Sequence, residues 1–153
     1  MKPDAGAPVS PAPRAEKIAA LDRMVQTGQD ATDAYLNAYA TNRKGTPDRY
    51  EFNWSTNVCN SPAPNMPFRF DFSNACIRHD FGYRNYRELL GEGGFRFKGL
   101  SGLEPSPKDR VDKVFLQDMD AVCDAFARTR HDLRRRSHPR HPAHRTTRRR
   151  HPR

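Results

Sequence analysis

The segment beginning at Ser106, SPKDRVDKVFLQDMDAVCDAF, constrains the fold more than any other part of the chain. Ser106 is placed to cap a helix, Pro107 suits its first position, and Asp109 falls in the first turn. At about 100° per residue, Phe115, Leu116, Met119, Val122, Cys123 and Phe126 form one apolar stripe, and the predicted helix runs to about residue 130. A stripe of that length needs a second apolar surface to cover it. Asp112 falls inside the stripe, whereas Asp109, Asp118, Asp120 and Asp124 lie at its edge or outside. A carboxylate facing a core is costly unless it is paired or hydrogen-bonded. Asp112 therefore reaches water or an arginine from the first turns, or it holds the N–H of a histidine.

The supply of histidines is narrow. Five of the six, from His131 onward, lie in the last 26 residues, and only His79 precedes them. His79 belongs to NACIRHDFGYRN, which Ser73 is placed to cap as a helix running to about Leu90 and stopped by GEGG. Cys76, His79, Asp80 and Tyr83 stand at i, i+3, i+4 and i+7, so they share one face. That spacing alone describes a packed face with a satisfied histidine as readily as a site. Gly82, inside the same helix, costs about 1 kcal/mol and points to the close approach of another backbone, or to nothing in particular.

Two further helices are expected upstream. Ser10 and Pro11 can start one that carries Ile18, Leu21, Met24 and Val25 and ends at Gly28. A second starts near Asp30, with Ala31, Ala34, Tyr35, Ala38 and Tyr39 at helical spacing, and TNRKGTPD breaks it. Residues 50–72 hold the only tryptophan and prolines 62, 64 and 67, so they read as loop. Residues 91–105 are glycine-rich, and Phe95, Phe97, Leu100 and Leu103 among basic residues either dip into a lipid surface or belong to a plain surface insertion. The fold expected is all-α.

Charge divides the chain. The net charge of +9 sits entirely at the end: residues 128–153 hold eleven arginines against Asp132, while residues 1–127 hold 16 basic and 17 acidic side chains. The division is a flexible lead over 1–12, a nearly neutral domain over 13–127, and a disordered basic tail over 128–153. Such a tail attracts anionic lipid or other polyanions without reading a sequence. No stretch is apolar enough to span a membrane, and no export signal is visible at the start.

The three cysteines, Cys59, Cys76 and Cys123, leave one unpaired within the chain. Were Cys59 joined to Cys76, the Asn57–Val58 loop would lie beside Asp80, one turn further along the helix. A side-chain oxygen, a backbone carbonyl and a carboxylate would converge there, and oxygen ligands of that kind suit Ca²⁺. The competing arrangement is zinc on Cys59, Cys76, His79 and Cys123, although the spacing is not that of a usual zinc site.

FNWSTNVC, PFRFDFSNACIRHDFGYRNY and RVDKVFLQDMDAVC resemble the secreted phospholipase A2 family of bacteria and fungi over residues 30–126. The resemblance implies that His79 is a general base toward water and that Asp112 orients it. It implies that Asp80, Asn57 and the Val58 carbonyl hold Ca²⁺, and that Cys59 and Cys76 form a disulfide. It also implies that the His–Asp site sits on two central antiparallel helices, that the substrate is a phospholipid at a membrane or micelle surface, and that the protein is secreted and monomeric. The activity implied is calcium-dependent hydrolysis of the sn-2 ester of glycerophospholipids. Two departures matter. Asn57 stands where the family usually has Asp, so weaker calcium binding is expected, with a gain from Asn57→Asp. No cysteine follows Cys123, where the family has a second disulfide. A rival expectation follows from these departures: a non-catalytic lipid- or polyanion-binding protein on the same fold.

Overall fold

The computed structural model describes residues 10–59, 70–97 and 104–137. Four helices follow in chain order: α1 Arg14–Met24, α2 Gln29–Arg43, α3 Ser73–Arg96 and α4 Pro107–Ser137. The described residues contain no strand, so the all-α expectation holds. Residues 1–9 of the lead, Phe68, Leu100, Leu103 and the tail beyond 137 lie outside the described residues; α4 continues to Ser137, past its expected end near 130 and into the segment expected to be disordered.

α1 starts three residues later than Pro11. Pro13 is its cap residue, with ψ 150°, and its ring keeps Ala12 out of helical backbone. The Ala12 N–H instead donates to the Arg49 carbonyl at 2.8 Å, which ties the lead to the loop after α2. α1 ends at Met24 rather than at Gly28, and Gly28, at φ 113°, turns the chain into α2.

The start of α4 is as expected. Ser106 Oγ accepts the Asp109 N–H at 3.1 Å, and Asp109 Oδ2 accepts the Ser106 N–H at 3.2 Å. This reciprocal cap satisfies two donors that a helix start would otherwise leave open. α3 is capped differently from expectation: Ser73 is its first helical residue, and Asp71 Oδ1 accepts the Ser73 N–H at 3.0 Å.

α3 also continues past GEGG. Gly91 takes φ 70° and ψ 172°, a kink, and a further short stretch reaches Arg96. The reason is Phe95, which is fully buried and packs edge-on against Tyr83 at 4.5 Å. Burying an aromatic ring outweighs the cost of three glycines in the turn before it. Phe95 therefore cannot dip into lipid as expected, whereas Phe97 is 73% exposed and can.

α3 and α4 form the most extensive helix pair. Phe70, just before α3, meets Phe126; Arg78 meets Asp118; Gly82 meets Val111. The numbers rise on one helix as they fall on the other, so the pair is antiparallel. A Cβ at Gly82 would fall 2.9 Å from Val111 Cγ2 and 3.1 Å from Val25 Cγ1. The close approach anticipated at Gly82 is thus made by side chains from α4 and from the end of α1, not by a backbone.

The buried face of α3 is Ala75, Arg78, Phe81, Gly82, Asn85 and Tyr86. The face read from the sequence lies at its margin, with Cys76 buried and His79, Asp80 and Tyr83 half-buried. That margin is where a side chain can be held firmly yet remain reachable.

Candidate active site

The site is built on one margin of α3 and completed by a loop and by α4. Cys59 and Cys76 are joined in a disulfide with Cα atoms 5.2 Å apart. The bridge holds the end of the 50–59 loop against the first turn of α3. Asn85 holds the same loop further back. Its Oδ1 accepts the Asn53 N–H at 2.8 Å, and its Nδ2 donates to the Asn53 carbonyl at 2.9 Å and the Phe81 carbonyl at 2.8 Å. Trp54 stacks on Phe81 at 4.3 Å between these anchors. With its sulfurs in that bridge, the zinc arrangement of Cys59, Cys76, His79 and Cys123 is ruled out; Cys123 is a free thiol on the exposed side of α4.

His79 and Asp112 are brought together across the α3–α4 interface. His79 Nε2 lies 3.1 Å from Asp112 Oδ1. A carboxylate only accepts, so Nε2 carries a hydrogen, and in the neutral ring Nδ1 keeps its lone pair. The ring is held between Tyr83, with centroids 5.2 Å apart, and Phe115, at 4.7 Å. Asp112 is less buried than its place in the stripe suggests, with a side chain 43% exposed. It sits in the second turn of α4, where the helix margin opens to water. Asp112 thus reaches water and also holds the histidine N–H, and its other oxygen accepts from the Lys108 ammonium, one turn back, rather than from an arginine.

Burial pushes the Asp112 carboxyl up, but the hydrogen bonds from Lys108 and His79 outweigh it and hold the group below its ordinary value of 3.8. A depressed carboxylate stabilises the fold above the unfolded value and loses that contribution as the pH falls through the folded one. Asp112→Asn is therefore expected to lower the melting temperature at pH 7, with the difference from wild type fading in acid, below the ordinary carboxylate value. A difference that persists in acid would mean that the carboxylate charge is not the stabilising feature.

Asp80, the neighbour of His79, faces the loop. Its Oδ2 accepts the Thr56 hydroxyl at 2.6 Å and the Asn57 N–H at 3.0 Å. Thr56 Oγ1 in turn accepts the Val58 N–H at 2.9 Å. Val58 takes φ 57°, in the left-handed region that β-branched residues avoid. Asn57 Oδ1 accepts Arg84 Nη2 at 3.0 Å. Asp80 thus touches the Asn57 backbone N–H and, through Thr56, Val58, while the Asn57 side-chain oxygen is turned to Arg84. Among the described residues no three His, Cys, Asp or Glu side chains cluster as a metal cage. A hard cation at this place would depend on one carboxylate plus neutral oxygens. Those donors fit such an ion in kind, with little negative charge.

Sequence reasoning missed the buried ion pair behind the site. Arg78, at 2% side-chain exposure, bonds Asp118 Oδ1 at 2.9 Å, the Met24 carbonyl at 2.8 Å, the Gln26 carbonyl at 3.2 Å and Thr32 Oγ1 at 3.0 Å. One guanidinium thus closes the open carbonyl end of α1 and ties α2 and α4 to α3. Asp118, expected at the stripe's edge or outside it, is drawn into this contact from the edge; burial pushes its carboxyl up, against the pull of Arg78. The available signal was spacing: Ala75, Arg78, Gly82 and Asn85 recur at helical intervals, but two of them are polar.

A half-buried imidazole, aligned by a carboxylate from the antiparallel helix, has the geometry to serve as an acid–base centre of the kind hydrolases use. The sequence pattern of the family described as prokaryotic phospholipase A2 matches residues 29–138, and the chain belongs to that family. The secretory phospholipase A2 of Beauveria bassiana is 36% identical over 101 residues, which cover 62% of this chain and 46% of that protein. The secretory phospholipase A2 of Arthroderma benhamiae is 32% identical over 74 residues, which cover 48% and 42%. The chain spans less than half the length of these curated relatives.

Proposed function

We propose that the protein hydrolyses the sn-2 ester of glycerophospholipids, releasing a fatty acid and a lysophospholipid. The observation that supports this most is the His79–Asp112 pair, with no hydrogen bond to Nδ1 among the described residues. In this reading Nδ1 takes a proton from water, and the water oxygen attacks the ester carbonyl carbon. Asp112 fixes the tautomer and offsets the charge on the ring once it is protonated. The imidazolium then returns the proton to the departing glycerol oxygen as the carbon–oxygen bond breaks. No acyl-enzyme forms.

Ca²⁺, when held by Asp80, the Val58 carbonyl and Asn57, supplies a Lewis acid for the negative charge that develops on the carbonyl oxygen. The substrate is taken from a membrane or micelle surface by a secreted monomer. No helix among the described residues is long and apolar enough to cross a membrane. Phe97, exposed beside the basic Arg96, is read as a contact with that surface. Phe97→Ser is expected to weaken vesicle binding several-fold while sparing hydrolysis of monomeric lipid; equal loss on both would remove the membrane role. The eleven arginines of residues 128–153 would add a nonspecific attraction to anionic lipid or polyanions.

The test of the reaction is a phospholipid with different acyl chains at its two positions. Release of the sn-2 chain alone, in step with lysophospholipid, is the expected result. A non-catalytic binding protein on this fold is the second reading, favoured by the neutral Asn57 already engaged by Arg84. It predicts vesicle binding with no release of either chain.

A further inference from the structure

Arg84 has no part in the chemistry above, yet it holds one of the residues assigned to the ion. It stands one helical turn beyond Asp80 on α3, and its Nη2 donates to Asn57 Oδ1 at 3.0 Å. Its Nε is enclosed and has no hydrogen-bond partner among the described residues. An enclosed guanidinium N–H without a partner is costly, so the packing keeps this side chain here against its own preference for water. Asn57 is thereby bound at both ends. Its N–H donates to Asp80 Oδ2 at 3.0 Å, and its side-chain oxygen receives Arg84.

A guanidinium and a divalent cation ask the same thing of Asn57, namely the lone pairs of one oxygen. They also repel each other at close range. We propose that Arg84 is an internal competitor for the ion: it holds Asn57 Oδ1 when no cation is present, and Ca²⁺ binds only by displacing it. Arg84 thereby sets the calcium concentration at which the loop is loaded. The proposal rests on the reading of Asn57 and Asp80 as ligands.

It also changes what Asn57→Asp should do. A carboxylate at position 57 adds charge for the ion, but it turns the contact with Arg84 into a charge-assisted one. The added ligand therefore faces a stronger competitor, and its full benefit appears only when Arg84 is changed as well.

Calcium titration calorimetry on the full chain tests this, using wild type, Arg84→Gln, Arg84→Lys, Asn57→Asp and the Asn57→Asp/Arg84→Gln pair. Arg84→Gln should bind Ca²⁺ on the order of fivefold tighter or more. Arg84→Lys, which keeps the charge, should fall between it and wild type. The double variant should gain more than the product of the two single gains. Unchanged or weaker binding in Arg84→Gln, with Ca²⁺ still bound, overturns the competition and leaves the ligand assignment standing. Absence of binding in every variant overturns both. Thermal melts in EDTA give a second readout: Asn57→Ala and Arg84→Gln should each lower the melting temperature, and the double variant should lower it no further than the larger single change. Additive losses would show that the two side chains do not hold each other, and the proposal falls.

Discussion

His79→Ala is expected to reduce fatty-acid release by about a thousandfold while leaving the fold and vesicle binding in place. The size follows from what is lost: a positioned base is worth that order in rate, and no other histidine lies in the family domain before residue 131. The fold should survive because His79 is half-buried at a margin, and its bond to Asp112 involves a carboxylate that also has Lys108 and water. Circular dichroism and thermal melting of the variant separate the two effects. A variant that keeps a tenth or more of the activity would remove His79 from the chemistry. A variant that loses activity only by unfolding would leave its role as base without support.

Arg78→Ala should produce the largest loss of stability, about 3 kcal/mol or more. It strands the Met24 and Gln26 carbonyls at and just beyond the end of α1 and leaves the Asp118 carboxyl without its partner, where its side chain is only 15% exposed. Arg78→Lys should recover only part of the loss, because an ammonium cannot span carbonyls and carboxylate together. Because Arg78 adjoins His79, activity should fall with stability in these variants, and cooling or a stabilising osmolyte should restore both. The pair Arg78→Met with Asp118→Leu should be far less damaging than Arg78→Ala alone, since no buried charge is then left unpaired. Chemical denaturation measures each; a loss below about 1 kcal/mol for Arg78→Ala would show that the buried pair does not organise the helices.

How much of this was legible in the sequence depended on whether a residue obeyed hydropathy. Ser106, Pro107 and Asp109 announced the start of α4 through local chemistry, and the cap forms as written. Asp112 stood out because a carboxylate broke an apolar stripe, and only one histidine could answer it. The disulfide needed more than spacing, since three cysteines allow three pairings, and the family resemblance selected the one that forms. Arg78 and Asn85 were passed over for the opposite reason. They are polar side chains on the buried face of α3, satisfied by carbonyls and amides from distant parts of the chain, and no local pattern records such partners. Phe95 was misplaced because its glycine-rich surroundings signal a loop, while its burial against Tyr83 is a tertiary effect. Lys108 and Arg84 were unremarkable as charges on helices. Only the folded chain sets one on Asp112 and the other on Asn57.

The proposed hydrolysis needs both the His79 imidazole aligned by Asp112 and Ca²⁺. It is tested most directly by fatty-acid release from phospholipid vesicles, first with millimolar Ca²⁺, then with excess EDTA, then with Ca²⁺ restored. Release is expected in the first and third conditions, near silence in the second, and near silence throughout for His79→Ala. Release that continues undiminished in EDTA, or that His79→Ala retains, would contradict it.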